Sequence, residues 1–145
     1  MMDKRMRKMQ GIEKDTAGPI VTGTKGADIT LVGWGSTYQI IEEVRMALEK
    51  QGKSVNHVHF RTIWPIHANE TLQILSATKK TINIENNFSS QMSKIIRMET
   101  GFTMNQFINK YDGEPFTFEG LLKDVEACIN GKAATAKVAE LAGAR

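Results

Sequence analysis

Three clusters of residues carry types and spacings that could do chemistry. His57 and His59 stand two apart, so on a strand they share one face, and His67 follows in a loop. Three imidazoles are enough for a zinc site. No carboxylate or thiolate is clearly placed beside them, so packed or interface histidines are expected and no metal ligands are assigned. Gly33-Trp34-Gly35-Ser36 sits between a strand pattern and a helix pattern, where backbone N–H groups and the helix dipole can hold a phosphate or carboxylate. A dinucleotide fingerprint would need a third glycine at position 38, which is Tyr38, and the Gly-Lys-Ser/Thr ending of a P-loop is absent. The turn therefore reads first as a glycine turn with Ser36 or Thr37 as helix cap, and second as an anion site. Glu85-Asn86-Asn87 closes a strand, and ligands of open α/β sheets bind outside the carboxyl ends of strands. This polar triplet suits a ligand, a partner or the backbone of its own turn. Cys128 lies in the apolar stripe of its helix, as a buried inert thiol does. No nucleophile–base pair or carboxylate pair assembles from the spacing, so no catalytic residue is assigned.

The elements that position these residues follow from hydrophobic period. Met2, Met6 and Met9 recur at i, i+4, i+7 among basic residues, predicting a short amphipathic helix over residues 1–10 that Gly11 can end. It is too short, and too poor in Trp, Phe or Leu, to read as a membrane-surface helix. Ile20-Val21-Thr22, with Pro19 at its start, can form an edge strand. Strands are predicted at Ile29–Val32, Val55–Phe60, Thr81–Ile84 and Gln106–Tyr111. Between them lie helical patterns: Ile40 to Leu48 stopped by Gly52, a helix capped by Asn69, and Met92 to Ile96 closed by Gly101. Thr117 caps a last patterned helix through Ile129, and residues 132–142 are alanine-rich. Strands alternating with such helices mean βαβ units, a parallel sheet and helices on both faces.

The chain has 145 residues, one domain's worth, with an ordinary soluble composition of 41% hydrophobic and 24% charged residues. A single cysteine excludes a disulfide framework and a four-thiolate metal or iron–sulfur site within the chain. No apolar run approaches a membrane span, the N-terminus lacks the apolar region of a signal peptide, and a cytoplasmic setting is expected. The net charge of +3 sits in residues 1–14, where Lys4, Arg5, Arg7, Lys8 and Lys14 face Asp3 and Glu13; the rest is balanced. A basic head on a neutral body argues against a nucleic-acid partner.

Several separated motifs, in order from about residue 4 to residue 120, carry a resemblance. Ala27 to Thr37 resembles the opening of the C-terminal domain of the α subunit of 2-oxoacid:ferredoxin oxidoreductases, in particular the 2-oxoglutarate type (2-oxoglutarate synthase). Val55 to Pro65, with Arg61, Trp64 and Pro65, resembles its next strand and Trp-Pro corner. Glu85-Asn86-Asn87 and Lys110 to Thr117 resemble its third strand end and closing segment. Arg61-Thr62-x-x-Pro65 is also similar to the C-terminal domains of transketolase and of 2-oxoacid dehydrogenase β subunits, and Lys4-Arg5-x-Arg7-Lys8 resembles a linker leaving a thiamine-pyrimidine domain.

The resemblance implies a three-layer α/β/α sandwich: five strands, mostly parallel, with Ile20-Val21-Thr22 as an antiparallel edge. It divides the chain into a basic linker helix (1–17), a transketolase C-terminal-like domain (18–130) and an alanine-rich helical tail (131–145). It implies oxidative decarboxylation of a 2-oxoacid to an acyl-CoA, with thiamine diphosphate, Mg²⁺ and iron–sulfur clusters held by partner subunits or domains and electrons passed to ferredoxin. The expected role here is a non-catalytic domain or split subunit, inactive alone, that organises assembly and encloses the active site, as a homodimer or hetero-oligomer. Its candidate contacts are Gly33, Gly35, Ser36, Thr37, Arg61, Trp64, Pro65, Glu85, Asn86 and Asn87. The other reading is a free-standing binding module that takes a CoA-like anion at the Gly33–Thr37 turn.

Overall fold

The computed structural model describes residues 2–131, with the side chains of Met9 and Gln10 outside the description. Helix α1 (Met2–Asp15) leads into β1 (Ile20–Gly23), β2 (Ile29–Trp34), a 3-10 turn at Gly35–Thr37 and α2 (Tyr38–Lys50). Then follow β3 (Val55–Phe60), α3 (Ala68–Ser76), β4 (Lys80–Glu85), α4 (Gln91–Thr100), β5 (Gln106–Asn109) and α5 (Phe118–Ile129). The strands form one sheet in the order β1-β3-β2-β4-β5, parallel except for the β1–β3 pair at the edge. This is the mostly parallel sandwich with an antiparallel edge strand that the sequence led us to expect.

Each strand buries alternate residues on opposite faces. Ile29, Leu31, Val55, Ile82, Ile84 and Ile108 meet Ile41, Val44 and Leu48 of α2 and Leu121, Val125 and Cys128 of α5. On the other face Val32, Val58 and Phe60 meet Leu75 of α3 and Met92 and Ile96 of α4. Central parallel strands are covered on both sides, so β2 and β3 are buried almost from end to end, including the polar Thr30, Asn56, His57 and His59. Gly101 takes a left-handed conformation beyond α4 as a helix-ending glycine does. The Thr117 hydroxyl accepts the Gly120 N–H and caps α5.

Several boundaries differ from expectation. Helix α1 runs through Gly11 to Asp15, because a mid-helix glycine costs only about 1 kcal/mol and nothing else stops the chain there. Met2 and Met6 are exposed on it, and the expected stripe at Met9 lies outside the described side chains. Gly33 and Trp34 belong to β2, so the turn begins only at Gly35. Thr37 stands at the N-cap position of α2 as expected, but its hydroxyl makes no cap hydrogen bond and donates instead to the Trp34 carbonyl at 2.9 Å. Asn69 lies inside α3, whose N-cap position is His67. Strand β5 stops at Asn109, short of Tyr111. The alanine-rich helical tail falls on residues outside the description beyond Gly131.

Candidate functional site

Strands β2, β3 and β4 run parallel and in register, with Trp34 opposite Phe60. Their carboxyl ends therefore open on one edge of the sheet, and the segments Gly33–Thr37, Arg61–Pro65 and Glu85–Asn87 gather there. Side chains packed against Gly33 set the shape of the first. A Cβ on Gly33 would stand 2.3 Å from Ile41 Cδ1 and 2.8 Å from Thr37 Oγ1, so only glycine lets α2 close onto β2. Gly33 and Thr37 are buried, while Gly35 and Ser36 face solvent.

Glu85 is the centre of this edge. Its side chain is fully buried and receives five hydrogen bonds. Oε2 accepts from the Trp34 indole N–H at 3.0 Å, the Asn87 amide at 2.7 Å and the Met92 backbone N–H at 3.1 Å. Oε1 accepts from the Asn83 amide at 2.8 Å and the Ser93 backbone N–H at 3.1 Å. Burial by itself would raise its pKa; the donors from Asn87, Asn83, Met92 and Ser93 outweigh burial and hold the carboxyl below the usual glutamate range. Glu85 thus ties β2, β4 and the first turn of α4 together. Asn87 in turn accepts from the Ser89 N–H through Oδ1 and takes the Asn109 amide on its carbonyl.

Outward from this knot the edge is open and partly apolar. Trp64 is 51% exposed beside a cis Trp64–Pro65 bond, with Ile66 buried beneath the loop. Phe88 is 67% exposed and meets Tyr111 edge to face at 5.0 Å. Arg61 and Asn86 are exposed. Of the ten candidate residues, Gly33, Thr37 and Glu85 face inward and position the edge, whereas Gly35, Ser36, Arg61, Trp64 and Asn86 present it.

The three histidines do not converge. His57 and His59 stack on β3 with Tyr38, their ring centroids 5.2 Å apart, but His67 Nε2 lies 2.9 Å from the Thr16 carbonyl at the end of α1. Among the described residues no group of three or more His, Cys, Asp or Glu side chains could hold a metal. With one cysteine in the chain, these residues do not fit an iron–sulfur cluster.

Sequence reasoning missed the partner of His57. Glu42 of α2 lies 2.7 Å from His57 Nδ1, pairs with Arg45 at 2.9 Å and accepts the hydroxyl of Thr22 on β1. Burial pushes the Glu42 pKa up, and bonds from Arg45, Thr22 and His57 override it, leaving about 2. Burial also lowers both histidines against the opposing pull of Glu42, His59 to about 4. The signal was present: Glu42 and Arg45, three apart, fall beside Ile41, Val44 and Leu48 on the inward half of α2.

A cavity of about 580 Å³ lies elsewhere, between the 110–117 loop and the first turns of α5, lined by Lys110, Glu114, Phe116, Leu121, Lys123 and Asp124. Among the described residues no helix is long and apolar enough to cross a membrane.

The sequence profile of the transketolase C-terminal domain matches residues 18–99. The α subunit of 2-oxoacid:ferredoxin oxidoreductase 1 from Aeropyrum pernix is 29% identical over 130 residues, covering 86% of this chain and 20% of that subunit. Among solved structures, 2-oxoglutarate:ferredoxin oxidoreductase from Magnetococcus marinus, with 2-oxoglutarate, coenzyme A and succinyl-CoA bound, superposes with a TM-score of 0.79 at 29% identity. That match covers 87% of this chain and 22% of the other. The α chain of a probable 2-oxoacid ferredoxin oxidoreductase from Thermoplasma acidophilum is 30% identical with a TM-score of 0.56, covering 78% of this chain and 97% of that one. The chain spans about a fifth of the length of the Aeropyrum relative it matches.

Proposed function

The chain belongs to the transketolase C-terminal domain family, and from that premise we propose that it serves as a non-catalytic domain or split subunit of a 2-oxoacid:ferredoxin oxidoreductase. In this reading the complex is thiamine-diphosphate-dependent, with 2-oxoglutarate as substrate. Thiamine diphosphate, Mg²⁺ and iron–sulfur clusters sit in partner subunits or domains, and ferredoxin takes the electrons. The chain itself contributes to subunit assembly and to enclosing the active site. Its unit is residues 18–130, preceded by a basic linker helix over 1–17 and followed by a tail over 131–145.

One observation supports this most. The carboxyl edge, where the fold would take a ligand, turns its carboxylate inward onto Trp34 and α4 and turns Trp64, Phe88 and Arg61 outward. An edge that is closed within and aromatic without suits a protein contact, since aromatics and arginine dominate interface cores.

Co-sedimentation with a thiamine-binding α chain of this oxidoreductase class tests this reading. A complex that weakens when Trp64 and Phe88 are both changed to Ser is expected. A chain that stays monomeric and binds no such partner, or a complex indifferent to both substitutions, would overturn it.

A further inference from the structure

A doubly wound sheet takes its ligands at the carboxyl edge, where adjacent crossovers leave on opposite faces. Here that point lies between β2 and β4, because α2, which leaves β2, packs on one face and α4, which leaves β4, packs on the other. The first turn of α4 opens onto it, with the unpaired N–H groups and partial positive charge of a helix start. The Met92 and Ser93 N–H groups do not point into solvent. Both end on the Glu85 carboxylate, together with the Trp34 indole and the amides of Asn83 and Asn87. Asn83 is only 1% exposed, and its Oδ1 has no hydrogen-bond partner. The amide is thus turned with its donor on the carboxylate although its own acceptor stays unsatisfied, an orientation an anion at this place selects.

We propose that the carboxyl edge holds a carboxylate cradle that the chain fills with its own Glu85, so the crevice is closed to free carboxylates and phosphates. The inference builds on the reading of this edge as a protein contact and adds what the edge excludes. The five donors that converge at the start of α4 are all committed to one buried carboxylate, and a second anion beside it would meet like charge. A partner therefore meets the outer residues of the edge, and an anionic ligand finds the start of α4 already taken.

Removing the resident carboxylate should leave a cradle that accepts a small one. The test is Glu85→Ala, followed by thermal unfolding near neutral pH in sodium formate against sodium chloride of equal ionic strength. Local readout comes from the indole N–H resonances of Trp34 and the exposed Trp64. The native chain should respond alike to both salts. Glu85→Ala should melt about 10 °C lower, from loss of a buried hydrogen-bonded charge, and regain several degrees in about 0.2 M formate but not in chloride. The Trp34 indole signal should shift in the variant and return with formate, while the Trp64 signal stays put. Glu85→Gln, which fills the space, should show no formate effect. Equal behaviour of Glu85→Ala in the two salts, a formate response of the native chain, or rescue of Glu85→Gln would overturn the proposal. If Glu85→Ala folds only in formate the proposal stands; if it folds in neither salt the proposal fails. None of these outcomes depends on finding a partner chain, so the cradle and the contact surface can fail separately.

Discussion

Acidification should destabilise the fold through His59, and the size of the effect follows from its surroundings. His59 lies on β3, 3% exposed, packed against Tyr38 of α2 and His57 of its own strand. The charged groups acting on it are Glu42, which favours its charged form, and His57 and Arg61, which oppose it. Burial is the largest influence and brings its pKa from 6.5 to about 4. In the unfolded chain the ring takes up its proton near pH 6.5, whereas in the native state it stays neutral down to about 4. Between those values the unfolded state binds more protons, so stability rises with pH across the window and is fully present above it. At 1.36 kcal/mol per pH unit the gap is worth about 3 kcal/mol, lost progressively from pH 6.5 to 4. The slope near pH 5 is then about 1 kcal/mol per pH unit from His59 alone. His57, lowered in the same direction, steepens it. Glu42, held at about 2 against an ordinary 4.5, extends the loss below pH 4.5, because its stabilising charge disappears as pH falls through the native pKa. Urea unfolding at a series of pH values measures the slope. His59→Gln should flatten it around pH 5 by about 1 kcal/mol per pH unit. A stability that is level between neutrality and pH 4.5, or an identical slope in the variant, would refute the reasoning.

Three further outcomes follow from packing and capping. Gly33→Ala forces a methyl into Ile41 and Thr37 and should cost about 1–3 kcal/mol in urea unfolding. Leu121→Ala removes a fully buried side chain from between α5 and the sheet and should cost about 2–5 kcal/mol. Thr117→Ala deletes the cap of α5 and should cost about 1 kcal/mol, with earlier amide exchange at Gly120 than at Val125.

The elements were legible because their causes are local. A buried strand needs an apolar run, an amphipathic helix needs a 3.6-residue period, and Gly101 or Thr117 announces a helix end from its own chemistry. The sandwich and its parallel order follow from alternating those patterns, and the chain's single cysteine set limits on cofactor chemistry by itself. What stayed hidden depends on pairs distant along the chain. Nothing in Glu85-Asn86-Asn87 distinguishes the residue that turns inward from the one that faces out; that choice belongs to Trp34, fifty-one positions away, and to the free N–H groups of α4. The run Gly33-Trp34 looked like a turn because glycine permits one, yet the close approach of Ile41 keeps it in the strand. Glu42 finds its partners only when the fold brings β1 and His57 against α2. A short sequence window records propensity and period. Which buried polar groups satisfy one another is decided only when the strands are side by side, because a buried donor or acceptor must find its partner wherever the topology has put it.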